Sequence, residues 1–237
     1  MNAAAPFLLM LALLSGWWLA RGRQRQLTLS ESDQIAINLS AICGAMLGAR
    51  IPFWLEQGLT GGNWLWWADG KTILGGILGA YITVEVVKEI RGIRVLTGDS
   101  FALPASIMIG IGRMACFCSG CCFGQPTSLP WGVHFPTAPD TTPTPRHPTQ
   151  IYEAMFHLIA AGFIILAEKK GWLKGQRLKA YLIAYMLFRF GTEYIRPEPQ
   201  IFLSLTAYQW TALCLLIALV VQWRWHASRM AAGSLQT

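Results

Sequence analysis

Seven apolar segments recur along this chain, and each is close to the length that crosses a lipid bilayer. A helix needs about 20 mostly apolar residues to cross the hydrocarbon layer. Only 13% of the 237 residues are charged, against about 25% in average soluble domains. We therefore predict an all-α integral membrane protein with about seven transmembrane helices, forming a single polytopic domain over residues 1–237. The predicted spans are 5–20, 34–57, 73–88, 101–118, 150–167, 180–195 and 206–223.

Basic residues alternate with these segments. Of the 19 lysines and arginines, most follow the first, third, fifth and seventh segments. By the positive-inside rule, this places the N-terminus outside and the C-terminus in the cytoplasm. The net charge of +7 is then a topology signal, so we exclude nucleic acid as a partner and take the lipid bilayer as the environment. These basic residues are Arg21, Arg23, Arg25, Lys88, Arg91, Arg94, Lys169, Lys170, Lys174, Arg177, Lys179, Arg224 and Arg229.

Three arginines lie inside or at the edge of the apolar segments: Arg50, Arg113 and Arg189. A charge at the centre of a spanning helix costs at least about 2.5 kcal/mol on insertion scales. One interpretation is a structural ion pair, or a side chain that reaches to the interface. In the seven-span topology, however, all three lie toward the outer half of the membrane, and Arg146 and Arg196 lie in the adjacent outer loops. Five guanidinium groups near one face predict a site for a phosphate or carboxylate.

The longest outer loop, approximately 119–149, is predicted to be irregular because its prolines prevent a helix. It can act as a stiff cover or as the wall of a substrate channel. Another outer connection, residues 58–70, contains Trp64, Trp66 and Trp67, which we interpret as an aromatic anchor at the interface. The prolines of the long loop are Pro126, Pro130, Pro136, Pro139, Pro143, Pro145 and Pro148.

Four of the six cysteines fall within seven residues: Cys116, Cys118, Cys121 and Cys122. Three interpretations stay open for this segment. The cysteines can pack a crowded helix end, form a redox pair such as Cys118 with Cys121, or bind a metal with His134 as an extra ligand. The spacing is not that of paired Cys-x-x-Cys motifs. We favour packing and predict no bound metal and no cofactor.

Two further segments carry charged and polar residues at helical spacing. His147, Gln150 and Glu153 recur every three residues at the start of the fifth span and are predicted to lie along one side of its first turn. Pro148 favours a helix start here, since proline suits the first helical position. Arg189 and Glu193 are four residues apart and share a helix face. Their pairing is either an internal salt bridge or a way of holding Arg189 toward a substrate phosphate.

These motifs, taken in order, make the chain resemble the prolipoprotein diacylglyceryl transferase family between Gly44 and Arg196. The resemblance rests on several motifs rather than one. They are Gly48-Ala49-Arg50, Gly75-Gly76-x-x-Gly79, Gly112-Arg113 through Gly124, Pro126-Thr127, Leu129-Pro130-Trp131, His147-Pro148-Thr149-Gln150-x-Tyr152-Glu153 and Arg189-x-x-x-Glu193-x-x-Arg196.

The resemblance implies a transferase of the bacterial cytoplasmic membrane whose active site faces outward. Such an enzyme takes phosphatidylglycerol, transfers its diacylglyceryl group to the lipobox cysteine of a prolipoprotein signal peptide, and releases glycerol phosphate. It implies that Arg113 and Arg189 handle the phosphate, and we add His147 and Glu153 as candidate catalytic residues. The candidate substrate-binding residues are Arg50, Gly75, Gly76, Gly124, Gln150, Tyr152, Glu193 and Arg196.

The chain departs from the family pattern at three positions. Leu74, Cys116 and Cys121 stand where family members carry histidine, asparagine and glutamate. The half of the site that is expected to bind the phosphate, with Arg113 and Arg189, is retained. The half that is expected to handle the acceptor, which includes these three positions, is altered. The replacement base can be His134, His147 or Glu153, and the residues do not choose among them.

Three alternatives to lipoprotein modification therefore stay open. The first is the same anionic phospholipid donor with a different acceptor. The second is a non-catalytic or transport protein that binds anionic lipid on this fold. The third is a membrane protein whose cysteine cluster carries out thiol redox chemistry or binds metal.

Overall fold

The computed structural model describes residues 4–51, 72–138 and 144–231, and these residues form an all-α, membrane-type fold. Every predicted span coincides with a helix in the described part of the chain. The anchor formed by Trp64, Trp66 and Trp67 lies outside the described residues. The helices are α1 (Ala4–Gln24), α2 (Glu31–Gly48), α3 (Ile73–Arg91), α4 (Gly98–Ser119), α5 (Thr149–Lys170), α6 (Arg177–Thr192) and α7 (Ala207–Ala231).

Three of these helices, α1, α4 and α5, are long and apolar enough to cross a membrane. The exact count of seven spans stays a prediction. A short 3-10 helix, Glu193–Ile195, extends α6. A small antiparallel hairpin, β1 (Gln200–Phe202) and β2 (Leu205–Thr206), precedes α7. Residue contacts divide the chain into two units, Leu27–Val95 and a larger one combining Met1–Gln26 with Leu96–Arg229. The assignment of residues 1–237 to a single domain stays a prediction.

In the smaller unit, α2 and α3 pack backbone against backbone. A Cβ atom added to Gly48 or Gly75 would overlap the carbonyl oxygen of the other, and Gly44 and Gly79 meet in the same way. Small residues permit this close approach between membrane helices, which lack a hydrophobic drive to associate. The hydroxyl of Thr83 adds a hydrogen bond to the Ser40 carbonyl at 2.7 Å.

In the larger unit, α1 packs along α4, and α4 packs on α5. At one end of these helices, Arg23 of α1 makes a bidentate ion pair with Glu168 of α5, at 3.2 and 2.9 Å. At the same end, Asp99 of α4 accepts hydrogen bonds from the backbone amides of Gly175 and Arg177, at 2.7 and 2.8 Å. The Arg177 amide, one of the unfilled donors at the start of α6, is thereby satisfied.

At the opposite end of the unit, the last turns of α4, the first turns of α5 and the last turns of α6 meet. The loop between α4 and α5 is more regular in its described part than its prolines predicted. Val133 and Arg146 exchange two backbone hydrogen bonds, at 3.0 and 2.9 Å, and Thr127 donates to the Pro145 carbonyl at 2.8 Å. Since proline lacks only its own amide, the intervening residues can still pair across the loop.

Candidate functional site

An ion pair between α4 and α5 forms the centre of the candidate site. Arg113 donates from Nη2 to Oε1 of Glu153 at 2.8 Å, and the two side chains are only 7% and 3% exposed. Glu153 Oε1 also accepts a hydrogen bond at 2.5 Å from the hydroxyl of Tyr185, which lies on α6. A single buried carboxylate oxygen thus ties three helices together.

A second buried polar pair, His157 with Tyr181, lies further along the same helices. His157, one turn further along α5, has its Nε2 atom 4.0 Å from Glu153 Oε1. Its Nδ1 atom lies 2.9 Å from the hydroxyl of Tyr181 on α6. Both side chains are buried, so the site extends from Glu153 into the interior of the unit.

A second buried carboxylate, Glu193, lies at the end of α6. Arg189 places Nη2 3.0 Å from Glu193 Oε2, and Arg196 places Nε 3.8 Å from the same oxygen. The other oxygen accepts a hydrogen bond from the hydroxyl of Thr206 at 3.1 Å. The salt bridge that the four-residue spacing predicted is therefore present. The guanidinium of Arg189 also lies over the ring of Tyr208, 5.6 Å from its centre.

The buried charges do not balance. Three guanidinium groups, on Arg113, Arg189 and Arg196, meet two buried carboxylates, Glu153 and Glu193. A fourth buried guanidinium, on Arg146, donates to the Gly124 carbonyl at 3.1 Å. A third carboxylate, that of Glu198, pairs with Arg196 but is 27% exposed. In addition, the buried Nε atom of Arg113 has no hydrogen-bond partner among the described residues, and the Nε atom of Arg196 has only its 3.8 Å contact with Glu193 Oε2. Buried donors normally have partners, so this arrangement suits an anion that brings its own acceptor oxygens.

Residues at the start of α5 hold the turn that follows α4. Gln150 donates to the Cys121 carbonyl at 2.5 Å, and Thr149 donates to the Cys122 carbonyl at 2.7 Å. The sequence predicts Gln150 as a substrate-binding residue, but in the structure its side-chain amide donates to a backbone carbonyl. Its Oε1 atom is buried without a described hydrogen-bond partner. Gly124 is packed tightly, since an added Cβ would overlap the Ile195 carbonyl.

His147 and Tyr152 form a separate polar group beside this turn. The Tyr152 hydroxyl accepts a hydrogen bond from the indole of the exposed residue Trp131 at 2.8 Å, and it lies 3.3 Å from Nδ1 of His147. His147 precedes α5 rather than lying on it, because the helix begins at Thr149. The prediction that His147, Gln150 and Glu153 share one helical turn is therefore wrong for His147.

Three of the four clustered cysteines converge after α4. The sulfur atoms of Cys116, Cys121 and Cys122 all lie within 4.8 Å of one another, and Cys118 is not part of this group. All four are free thiols in the structure. Hydrogen bonds from the thiols of Cys116 and Cys121, with help from the nearby Arg113 and Arg196 guanidiniums, lower the pKa of the Cys122 thiol well below its usual range. The suggested pairing of Cys118 with Cys121 is not present.

The remaining predicted site residues lie in the smaller unit. Arg50 follows the end of α2, and Gly75 and Gly76 lie in the first turn of α3. Gly75 packs against the Gly48 carbonyl, whereas a Cβ on Gly76 would make only ordinary contacts. Leu74, at the position of the family histidine, is buried. The roles of Arg50, Gly75 and Gly76 in substrate binding stay predictions.

Sequence reasoning missed three residues of the site: His157, Tyr181 and Tyr185. A signal was available for all of them. Tyr181, Tyr185 and Arg189 follow one another at intervals of four, and His157 is four residues after Glu153. Residues at this spacing lie on one face of a helix. The spacing alone therefore predicts that Tyr181 and Tyr185 lie on the same face of α6 as Arg189.

Comparison with known proteins gives consistent matches over most of the chain. The family described as prolipoprotein diacylglyceryl transferase matches residues 6–225. The phosphatidylglycerol–prolipoprotein diacylglyceryl transferase of Nitratidesulfovibrio vulgaris strain Hildenborough is 31% identical over 229 residues, covering 89% of this chain and 84% of that protein. The protein of the same name from Cupriavidus metallidurans is 32% identical over 240 residues, covering 92% of this chain and 87% of that protein.

Proposed function

The chain belongs to the prolipoprotein diacylglyceryl transferase family, and from this premise we propose that it transfers the diacylglyceryl group of phosphatidylglycerol to the cysteine thiol of a prolipoprotein. The relatives carry this activity in their names. The observation that carries the proposal here is the buried arginine set with its excess of positive charge and the unfilled Nε donor of Arg113.

The charge on the phosphate changes during such a transfer. The acceptor sulfur, as thiolate, attacks the diacylglyceryl carbon that carries the phosphate ester. The carbon–oxygen bond breaks, its electron pair stays on the phosphate oxygen, and a thioether forms. The phosphate begins as a monoanionic diester and leaves as glycerol phosphate, which carries more negative charge. Fixed donors in a partly dry site stabilise charge that develops in the transition state.

The residues of the larger unit divide into two roles in this proposal. Arg113 and Arg189 bind the phosphate, and Arg196 adds a third guanidinium. Glu153 and Glu193 orient these arginines, since each carboxylate holds at least one of them in place. Tyr185 fixes Glu153 from α6. His147 stays a candidate for receiving the thiol proton, with its Nδ1 atom 3.3 Å from the Tyr152 hydroxyl.

The membrane topology is part of the same proposal. We assign the chain to the bacterial cytoplasmic membrane, with the N-terminus outside, the C-terminus in the cytoplasm and the arginine site facing outward. Within the larger unit, Arg23 and Arg177 lie at the end opposite Arg113, which agrees with the positive-inside rule. A C-terminal fusion to a fluorescent protein should fluoresce, whereas a C-terminal alkaline phosphatase fusion should be inactive; the reverse pattern contradicts this orientation.

The transfer is tested with purified full-length protein, phosphatidylglycerol vesicles and a lipobox peptide. We expect the peptide to gain one diacylglyceryl group by mass spectrometry, with one glycerol phosphate released per peptide. Arg113→Gln and Arg189→Gln should each lower turnover by about 100-fold or more, the effect of losing one transition-state donor. Arg23→Gln is the matched control, because its pair with Glu168 lies at the opposite end. Undiminished turnover in both site variants would overturn the proposal.

A second candidate function follows from the altered acceptor half of the site. Leu74 is an apolar, buried residue and cannot accept a proton. Cys116 and Cys121 replace the asparagine and glutamate expected from the family resemblance. These changes favour the same lipid donor with a different acceptor. Release of glycerol phosphate without a modified peptide selects this candidate in the same assay.

A further inference from the structure

The three-thiol cluster formed by Cys116, Cys121 and Cys122 has a geometry that the spacing of these cysteines did not indicate. We propose that this cluster binds one thiophilic metal ion, with Cu(I) as the ion that fits three sulfur ligands. Their Sγ atoms lie within 4.8 Å of one another. The inference goes beyond lipid transfer and revises our expectation that the cysteines bind no metal.

The backbone forms the cluster by two left-handed residues in close succession. α4 ends at Ser119, and Gly120 takes a left-handed conformation with φ of 69°. Cys122 also has a positive φ, 63°. For a residue other than glycine, such a conformation costs about 1–3 kcal/mol and persists only where the surroundings impose it. Here the turn brings Cys121 and Cys122 back toward Cys116 of the helix.

The turn is held from outside the cluster. Gln150 and Thr149 of α5 donate to the carbonyl oxygens of Cys121 and Cys122. These contacts fix the backbone without using any sulfur atom. The thiols are therefore positioned before a ligand arrives, which lowers the ordering cost of binding.

The sulfur separations match a trigonal site. Three sulfurs at about 2.3 Å from a central ion, the usual metal–thiolate distance, are about 4.0 Å apart in a plane. The observed limit of 4.8 Å requires the side chains to close by less than 1 Å. Among the described residues, no histidine, aspartate or glutamate joins the three thiols. Thiolates suit Cu(I), zinc and iron–sulfur clusters. Structural zinc takes four protein ligands and iron–sulfur clusters usually take four cysteines, so three sulfurs favour Cu(I).

Charge and access also favour a monovalent soft cation. Binding displaces the protons that the thiols still hold, and three thiolates with one Cu(I) carry a net charge of −2. Two guanidiniums offset this charge. Arg113 lies one turn before Cys116 on α4, and Arg196 donates to the Cys122 carbonyl at 3.4 Å. Cys121 is exposed, so an ion can reach the cluster from solvent.

The test uses the reduced full-length protein in detergent without oxygen, titrated with Cu(I) against a chromogenic Cu(I) chelator. We expect one tightly held ion per chain. Cys116→Ser, Cys121→Ser and Cys122→Ser should each weaken binding by more than about 100-fold, the upper range for losing even an outer-shell partner. Cys118→Ser is the matched control from the same segment and should bind like the unaltered protein.

A second measurement keeps the test decisive if a variant fails to fold. X-ray absorption on the unaltered Cu(I)-loaded protein should show three sulfur neighbours at about 2.3 Å. Nitrogen or oxygen neighbours in their place, or equal binding by the Cys116, Cys121 and Cys122 variants, would overturn the proposal. Neither measurement involves phosphatidylglycerol, so loss of metal binding and loss of lipid transfer are separately observable.

Discussion

The helices of the pair α2–α3 and those of the group α4–α5–α6 are held together by different kinds of contact. In the first, glycines bring two backbones into contact, and a hydrogen bond from Thr83 crosses between them. In the second, Arg113, Glu153 and Tyr185 place ionised and hydrogen-bonding groups between three helices. Glycine contacts hold membrane helices together without any charge.

This difference indicates why the charges are present. Ionised groups in a membrane segment are expensive to insert, and a buried ion pair is often no more stable than apolar residues of similar volume. The α2–α3 pair is held at its centre by glycine contacts, and its ion pair between Arg91 and Asp33 lies at the partly exposed helix ends. This chain can therefore pack helices without a buried ion pair. We infer that Arg113, Glu153, Arg189 and Glu193 are retained for function, and the following predictions test that contrast.

The largest effect should come from removing one partner of the central ion pair. Arg113→Met leaves Glu153 buried without its guanidinium and should lower the free energy of unfolding by about 3–5 kcal/mol. The double variant Arg113→Met/Glu153→Gln is neutral and keeps an acceptor for Tyr185, so it should recover most of that stability. Thermal unfolding in detergent measures both. Transfer should stay lost in both variants; activity in the stable double variant would contradict a role in phosphate binding.

The glycine contacts should be sensitive to a single methyl group. Gly75→Ala places a Cβ against the Gly48 carbonyl and should destabilise the protein by about 1–3 kcal/mol. Gly76→Ala is the matched control, because its Cβ would lie 3.4 Å from the Ala45 carbonyl and 3.6 Å from the Ala49 Cβ. It should be neutral, or stabilising by up to about 1 kcal/mol from helix propensity. Reduced transfer by a stable Gly76→Ala protein would instead favour the predicted substrate contact.

The two tyrosines of α6 should differ according to what they bind. Tyr185→Phe removes a hydrogen bond to a carboxylate and should cost about 1.5–3 kcal/mol, whereas Tyr181→Phe removes a bond to His157 and should cost about 0.5–1.5 kcal/mol. Chemical denaturation compares the two variants. Tyr185→Phe should also lower kcat more than it raises KM, because it loosens Glu153 rather than a lipid contact. If Tyr185→Phe and Tyr181→Phe change kcat and KM to the same extent, Tyr185 has no special role in holding Glu153.

The smallest effect should come from the ion pair at the opposite end of the larger unit. Arg23 and Glu168 have side chains that are 23% and 27% exposed. Exposed pairs contribute about 0.2–1 kcal/mol, and this pair is bidentate and only partly exposed. Arg23→Gln should therefore lower stability by about 1 kcal/mol, and added salt should reduce the difference. Unfolding at two salt concentrations checks this prediction. If Arg23→Gln lowers the free energy of unfolding as much as Arg113→Met does, the two ion pairs cannot be separated into a structural and a functional one.

Much of the fold was readable from the sequence because the membrane imposes simple rules. Apolar length predicted all seven described helices, since a segment that enters the bilayer must satisfy its backbone hydrogen bonds internally. Spacing predicted the pair of Arg189 with Glu193, because residues four apart on a helix are neighbours. The scarcity of charge in the apolar segments was enough to single out Arg113 as a functional candidate.

Contacts between residues distant in the chain required the tertiary structure. The partner of Arg113 is Glu153, 40 residues later, and no local pattern connects them. The three-thiol cluster depends on the left-handed backbone at Cys122 and on support from α5, so spacing alone grouped Cys118 with it wrongly. The sequence by itself determined the helices, the charge pattern and the family. Only the tertiary structure decided which side chains share a site, because that depends on how α4, α5 and α6 pack.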